Sequence, residues 1–160
     1  MGLAELSSIL WRERDMLELL LFKLEEEQLV LAAGRTRWLA HATREVELVL
    51  EQIRLTEVLR AAEVAVVGAA LGIGTEPSLG ELADTVDEPW SDLFRQHRTA
   101  FRELTAQITA LSDTNRDLLT AGQRAVQETM MIVSGSVQTY GRRGQTVSAV
   151  PRTRLIDEAM

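Results

Sequence analysis

Two histidines, three consecutive glutamates and a glycine cluster are the groupings in this sequence that could support chemistry. His41 and His97 are the only imidazoles, and the close Asp/Glu/His clustering that a metal site or a charge relay requires is missing around them. His97 falls on an apolar helical line and reads as a partly buried structural ring, whereas His41 reads as exposed. Glu25, Glu26 and Glu27 lack the Glu-x-x-His companion used by di-iron bundles and read as a solvated face. Gly68, Gly72 and Gly74 invite comparison with a dinucleotide fingerprint, but no strand precedes them and no acidic ribose ligand follows in a β-α-β unit. Cysteine is absent, which excludes a disulfide framework, a thiolate nucleophile and a cysteine-based zinc site. No phosphate-binding glycine loop, nucleophile elbow or zinc helix motif occurs. The sequence therefore predicts a protein that is not an enzyme and holds no cofactor or metal.

Binding is the chemistry that remains, and two groups of residues could carry it. From Ser134 onward the helical periodicity is lost and turn formers are frequent, with Tyr140 and a weak apolar set (Val147, Val150, Leu155, Ile156, Met160) spread over the last twenty-five residues. Such a segment cannot bury enough apolar surface to fold alone. It either plays no part or orders on a partner, with Val137, Tyr140 and the later aliphatics as anchors and Arg142 and Arg143 as a polar flank. The second group centres on Asn115, an amide on an otherwise apolar line, three residues before Leu118-Leu119. A buried amide lowers stability and is best attested as a device that fixes helix register, so Asn115, Leu118 and Leu119 are expected to set the pairing of helices.

These residues must be positioned by helices. Counting in sevens places Leu3, Leu10, Leu17, Leu24 and Leu31 on one line and Leu6 and Leu20 on the next, predicting a first helix over 3–33. Glu13 and Glu27 also fall on the second line. They read first as edge residues turned outward and second as partners of arginines on a facing helix. Gly34 ends or kinks this helix, and the run Arg35-Thr36-Arg37 reads as a solvated corner before a second helix over 36–72, with Leu39, Val46 and Ile53 on its apolar line. The stretch 72–89 interrupts the pattern, although Ser78 and Glu81 have capping-box spacing and predict a short helix over 79–85. Pro89, after Asp87 and Glu88, sits where a first helical residue belongs. A third long helix then runs to about residue 133, with Phe94, Phe101, Ile108 and Asn115 on one line and Trp90, His97, Leu104, Leu111 and Leu118 beside it. At 1.5 Å rise per residue, about 45 residues span roughly 65 Å. The expected fold is all-α: an elongated antiparallel three-helix bundle or coiled coil over 1–135, a short extra helix in the second connection, and a flexible tail over 136–160.

Composition agrees. Hydrophobic residues make up 46% of the chain and aromatics only 4%, a balance that favours helices over sheets. The net charge of −7 argues against a nucleic-acid partner, which requires clustered positive charge. The N-terminal residues lack a signal-peptide pattern, and no stretch approaches the ~20 apolar residues of a membrane span. A cytoplasmic protein is expected.

Asn115-x-x-Leu118-Leu119, the amphipathic stretch through Val126 and Val133, and Thr139-Tyr140-Gly141-x-x-Gly144 together resemble the C-terminal signature of the FlgN family of flagellar export chaperones. The N-terminal half is similar too, with leucine-rich and acidic stretches before a long second helix. The resemblance implies a cytoplasmic chaperone that binds hook–filament junction proteins, FlgK and FlgL or their like, before type III export, with export-apparatus components as further partners. It also implies that the C-terminal segment engages the client: here Tyr140, Gly141 and Gly144 with the residues around and beyond, Val137, Arg142, Val147, Val150, Leu155 and Ile156. A different class of function, a structural coiled coil pairing with itself and having no exported client, uses the same helices. The chain is accordingly expected to be a monomer or a homodimer.

Overall fold

The structure is a computed structural model that describes residues 2–139, with side chains as far as residue 135. Four helices make up the described residues: α1 (Leu3–Ala32), α2 (Thr36–Leu71), α3 (Leu79–Thr85) and α4 (Trp90–Thr139). The fold is an all-α helical bundle, and the short α3 stands in the second connection as the sequence predicts. The chain divides into one unit from Met1 to Arg116, holding α1 to α3 and the first part of α4, and a second from Asp117 onward, whose described part is the rest of α4.

Glycine geometry places both main turns. At the end of α1, the amide of Gly34 donates to the Leu31 carbonyl (3.1 Å) and that of Arg35 to Val30 (3.0 Å), while Gly34 takes a φ of 65°. This left-handed closure satisfies carbonyls that a helix end leaves open, so Gly34 terminates α1 and allows a hairpin. The same device recurs at Gly72, where Ile73 donates to the Gly68 carbonyl at 3.0 Å. Gly68 has a further reason to lack a side chain: a Cβ there would run into the Gly74 carbonyl oxygen and the Pro77 ring. The glycine cluster thus folds a loop back onto α2, which accounts for it without a nucleotide.

The second connection is held by hydrogen bonds of its own. Ser78 Oγ accepts from the Glu81 amide (3.2 Å) and Glu81 Oε2 accepts from the Ser78 amide (2.7 Å), completing the capping box. These bonds hold the Glu81 carboxyl below its usual range. Buried Ser91 donates to the Ala83 carbonyl at 2.6 Å and fastens α3 to α4. Pro89 lies one residue outside α4, not at its first position. Its carbonyl accepts from Leu93 (3.2 Å), while the Glu88 carboxylate accepts from the Asp92 amide (3.0 Å), so the acid preceding the proline does the capping.

The core of the first unit forms two clusters. One joins Leu6 and Leu10 of α1, Val67 of α2, Leu82 and Ala83 of α3, and Phe94 of α4. The other joins Leu20 and Leu24 with Val46, Val49 and Ile53, and takes in Ile108 and Leu111 at its edge. The start of α1 therefore meets the end of α2 and the start of α4, so successive long helices are antiparallel and α4 runs parallel to α1.

Candidate protein-binding surface

Asn115, Glu13 and His97 are among the polar groups buried inside the bundle of the first unit. Asn115 Nδ2 donates to the Leu24 carbonyl (2.9 Å) and to Glu27 Oε1 (3.1 Å), and Thr43 Oγ1 donates to Glu27 Oε2 (3.1 Å). Asn115 is only 4% exposed, so α4, α1 and α2 are joined by one carboxylate held between two donors. This names the partner that a buried seam amide demands. Replacing Asn115 by Leu should cost about 1–3 kcal/mol in urea unfolding, because the Glu27 carboxylate and the Leu24 carbonyl each lose a donor. An Asn115→Leu protein as stable as the wild type would mean that the bridge contributes nothing.

Glu13 is also buried, against the first reading that turns its carboxylate outward and in line with the second, since it pairs with Arg60 of α2 at 3.0 Å. Burial outweighs the neighbouring guanidinium and raises the Glu13 carboxyl above its ordinary value. Arg60 and Thr43 are the partners that heptad counting could not supply, since each lies on another helix more than a dozen residues away.

His97 is fully buried, not partly. Its ring meets Trp11 edge-on at 4.7 Å and stacks on Phe101 at 6.0 Å, and among the described residues neither nitrogen has a hydrogen-bond partner. Such a ring can serve neither as a base nor as a ligand without opening the bundle. Burial, reinforced by the Arg14 charge, lowers its pKa below the ordinary 6.5. The unfolded chain then takes up this proton before the folded one does, so stability present above pH 6.5 is lost as pH falls toward the depressed value. Glu13 acts in the opposite sense, its contribution being largest at acid pH and lost as pH rises through its raised value. The comparison that isolates His97 is therefore with His97→Phe: between pH 7.5 and 5.5 the urea midpoint of the wild type should fall further. Equal falls in both proteins would refute the assignment. His41 is exposed, with its ring 5.7 Å from Trp38.

The second unit is built differently. α4 continues to Thr139, past the expected end near residue 133, because Gly135 and Ser134 weaken a helix without breaking it. Along this stretch Leu119, Val126, Met130 and Val133 recur at intervals of seven, four and three, placing them within about 60° of arc on one face. All four are exposed, as are Met131 and Ile132. Large apolar side chains aligned in this way suit insertion into an apolar groove on another protein, and methionine adapts to an irregular one. Leu118 is half-buried and Leu119 exposed. Of the anchors expected from the tail, Val137 has its backbone in α4, while Tyr140, Gly141, Arg142, Gly144, Val147, Val150, Leu155 and Ile156 lie outside the described residues.

The family model described as FlgN protein matches residues 1–148, which takes in α1 to α4 and the Tyr-Gly-x-x-Gly element. The chain belongs to the FlgN family. FlgN proteins are flagellar export chaperones, a family of chaperones and not of enzymes, and their partners are proteins. No curated protein and no solved structure matches the chain. Among the described residues of this FlgN protein, no helix is long and apolar enough to cross a membrane.

Proposed function

We propose that this chain is a cytoplasmic chaperone that holds FlgK/FlgL-like hook–filament junction proteins before type III export, through the C-terminal part of α4 and the segment that follows. The observation that carries this reading is the exposed apolar line Leu119, Val126, Met130 and Val133. It leads directly into Val137, Tyr140, Gly141, Arg142 and Gly144, with Val147, Val150, Leu155 and Ile156 beyond them. A client kept competent for export needs its assembly helices covered, and an amphipathic helix with a peptide extension covers them without nucleotide chemistry. Asn115 and the half-buried Leu118 keep the register role in this reading, the exposed Leu119 passes to the client-binding line, and export-apparatus components are further partners. Deleting residues 136–160 should abolish binding to FlgK and FlgL in calorimetric titration while helical content is retained. Full binding after that deletion would remove the tail from the site.

A second reading, a coiled-coil homodimer with no exported client, draws on Leu48, Leu55, Leu59 and Val66, an exposed apolar line along α2. Light scattering separates the two: an obligate dimer that ignores FlgK and FlgL would favour this alternative.

A further inference from the structure

The turn between α1 and α2 reverses the charge of the molecule. Across a chain of net charge −7, the stretch between Glu27 and Glu45 contains Arg35, Arg37 and Arg44 and no acidic residue. The acids at its borders are engaged elsewhere: Glu45 accepts from Lys23 at 3.0 Å, and Glu27 is the bridge between Asn115 and Thr43. None of the three arginines forms an ion pair among the described residues.

Two large apolar groups at this tip are exposed, as the three cations are. Trp38 is 48% exposed, with the Arg37 guanidinium 4.8 Å over its ring and His41 beside it. Leu29, in the last turn of α1, is 70% exposed. Folding does not account for the arrangement. Arg35 and Arg37 stand at the N-terminal end of α2, where the helix dipole disfavours positive charge and where the first turn holds no acid to offset it.

We propose that the α1–α2 tip is a docking surface for an acidic helix of a partner protein, with Trp38 and Leu29 receiving its apolar side chains and Arg35, Arg37 and Arg44 its carboxylates. The composition favours a protein over a membrane. Arginine and tryptophan dominate the energetics of protein interfaces, and guanidinium pairs carboxylate in a two-pronged fork. Three cations are also fewer than the roughly four to eight that hold a segment on an anionic bilayer. The proposal is independent of the export reading, since its residues span 29–44 and the client segment begins at 119.

The test uses the full chain and a synthetic amphipathic peptide with leucine on one helical face and glutamate on the other. Titration followed by nitrogen-15 NMR should shift the Trp38 indole and the amides of 35–44. The double variant Arg35→Glu, Arg37→Glu should weaken binding at least 10-fold, and Trp38→Ala should do the same. The double variant should keep or raise its urea midpoint, because glutamate suits a helix N-terminus, so loss of binding cannot be ascribed to unfolding. Absence of binding at millimolar peptide, shifts confined to other residues, or equal binding by the charge-reversed protein would each overturn the proposal. So would poly-L-glutamate binding as tightly as the peptide, or phosphatidylserine vesicles binding more tightly.

Discussion

Glutamate at positions 126, 130 and 133 together should weaken FlgK/FlgL-like client binding by about 100-fold or more, since anchor residues in a fully covered groove contribute on the order of 1–2 kcal/mol each. The same change should alter unfolding free energy by no more than about 0.5 kcal/mol, as surface substitutions usually do. Val126, Met130 and Val133 are each more than half exposed, so the change removes little buried surface from the described residues. Titration calorimetry and urea unfolding on one preparation test both halves. Unchanged affinity in this triple variant, with binding lost on deletion of 136–160, would move the client contact wholly beyond the described helix.

The largest expected effect on stability is at Phe94. It is completely buried where α1, α2, α3 and α4 meet, packed with Leu6, Leu10, Val67 and Leu82. Phe94→Ala removes an aromatic ring from a site that four helices and the Ser91–Ala83 hydrogen bond prevent from collapsing. The loss should therefore reach about 3–5 kcal/mol, a large part of the 5–15 kcal/mol typical of a whole domain. Urea unfolding measures it, and a loss below about 1 kcal/mol would show that Phe94 does not occupy this junction.

Heptad counting located the long helices because burial along each is one-sided and repeats every seven residues. Leu6, Leu10, Leu20, Leu24, Val46, Ile53, Phe94 and Leu104 are all buried as that count predicts. Local chemistry located the turns, since Gly34, Gly72, Ser78 and Glu81 act through neighbours within a few residues. Charges inside the bundle were harder to read. Glu13 and Glu27 look like edge residues until Arg60, Thr43 and Asn115 are brought beside them by packing that no local window contains. The end of α4 was misplaced for a related reason: Ser134 and Gly135 lower helix propensity, and propensity is a weak prior. On the surface, the run Arg35-Thr36-Arg37 reads as solvated, and its distinction emerges only when the nearby acids are found to be bonded to other residues. Of the proposed client segment, the sequence shows which apolar residues could act as anchors and nothing of the groove they would enter.

Asn115 also has a metrological consequence. Leucine-rich helices repeat every seven residues, so sliding α4 along α1 by one repeat, roughly 10 Å, would rematch much of the greasy surface at little loss. The slipped position would set Ile108 or Gly122 against Glu27, and neither side chain can donate to a carboxylate. On the register role proposed for Asn115, the Asn115–Glu27–Thr43 bridge would act as the index mark on a vernier, selecting one alignment from several that hydrophobicity alone would hardly distinguish.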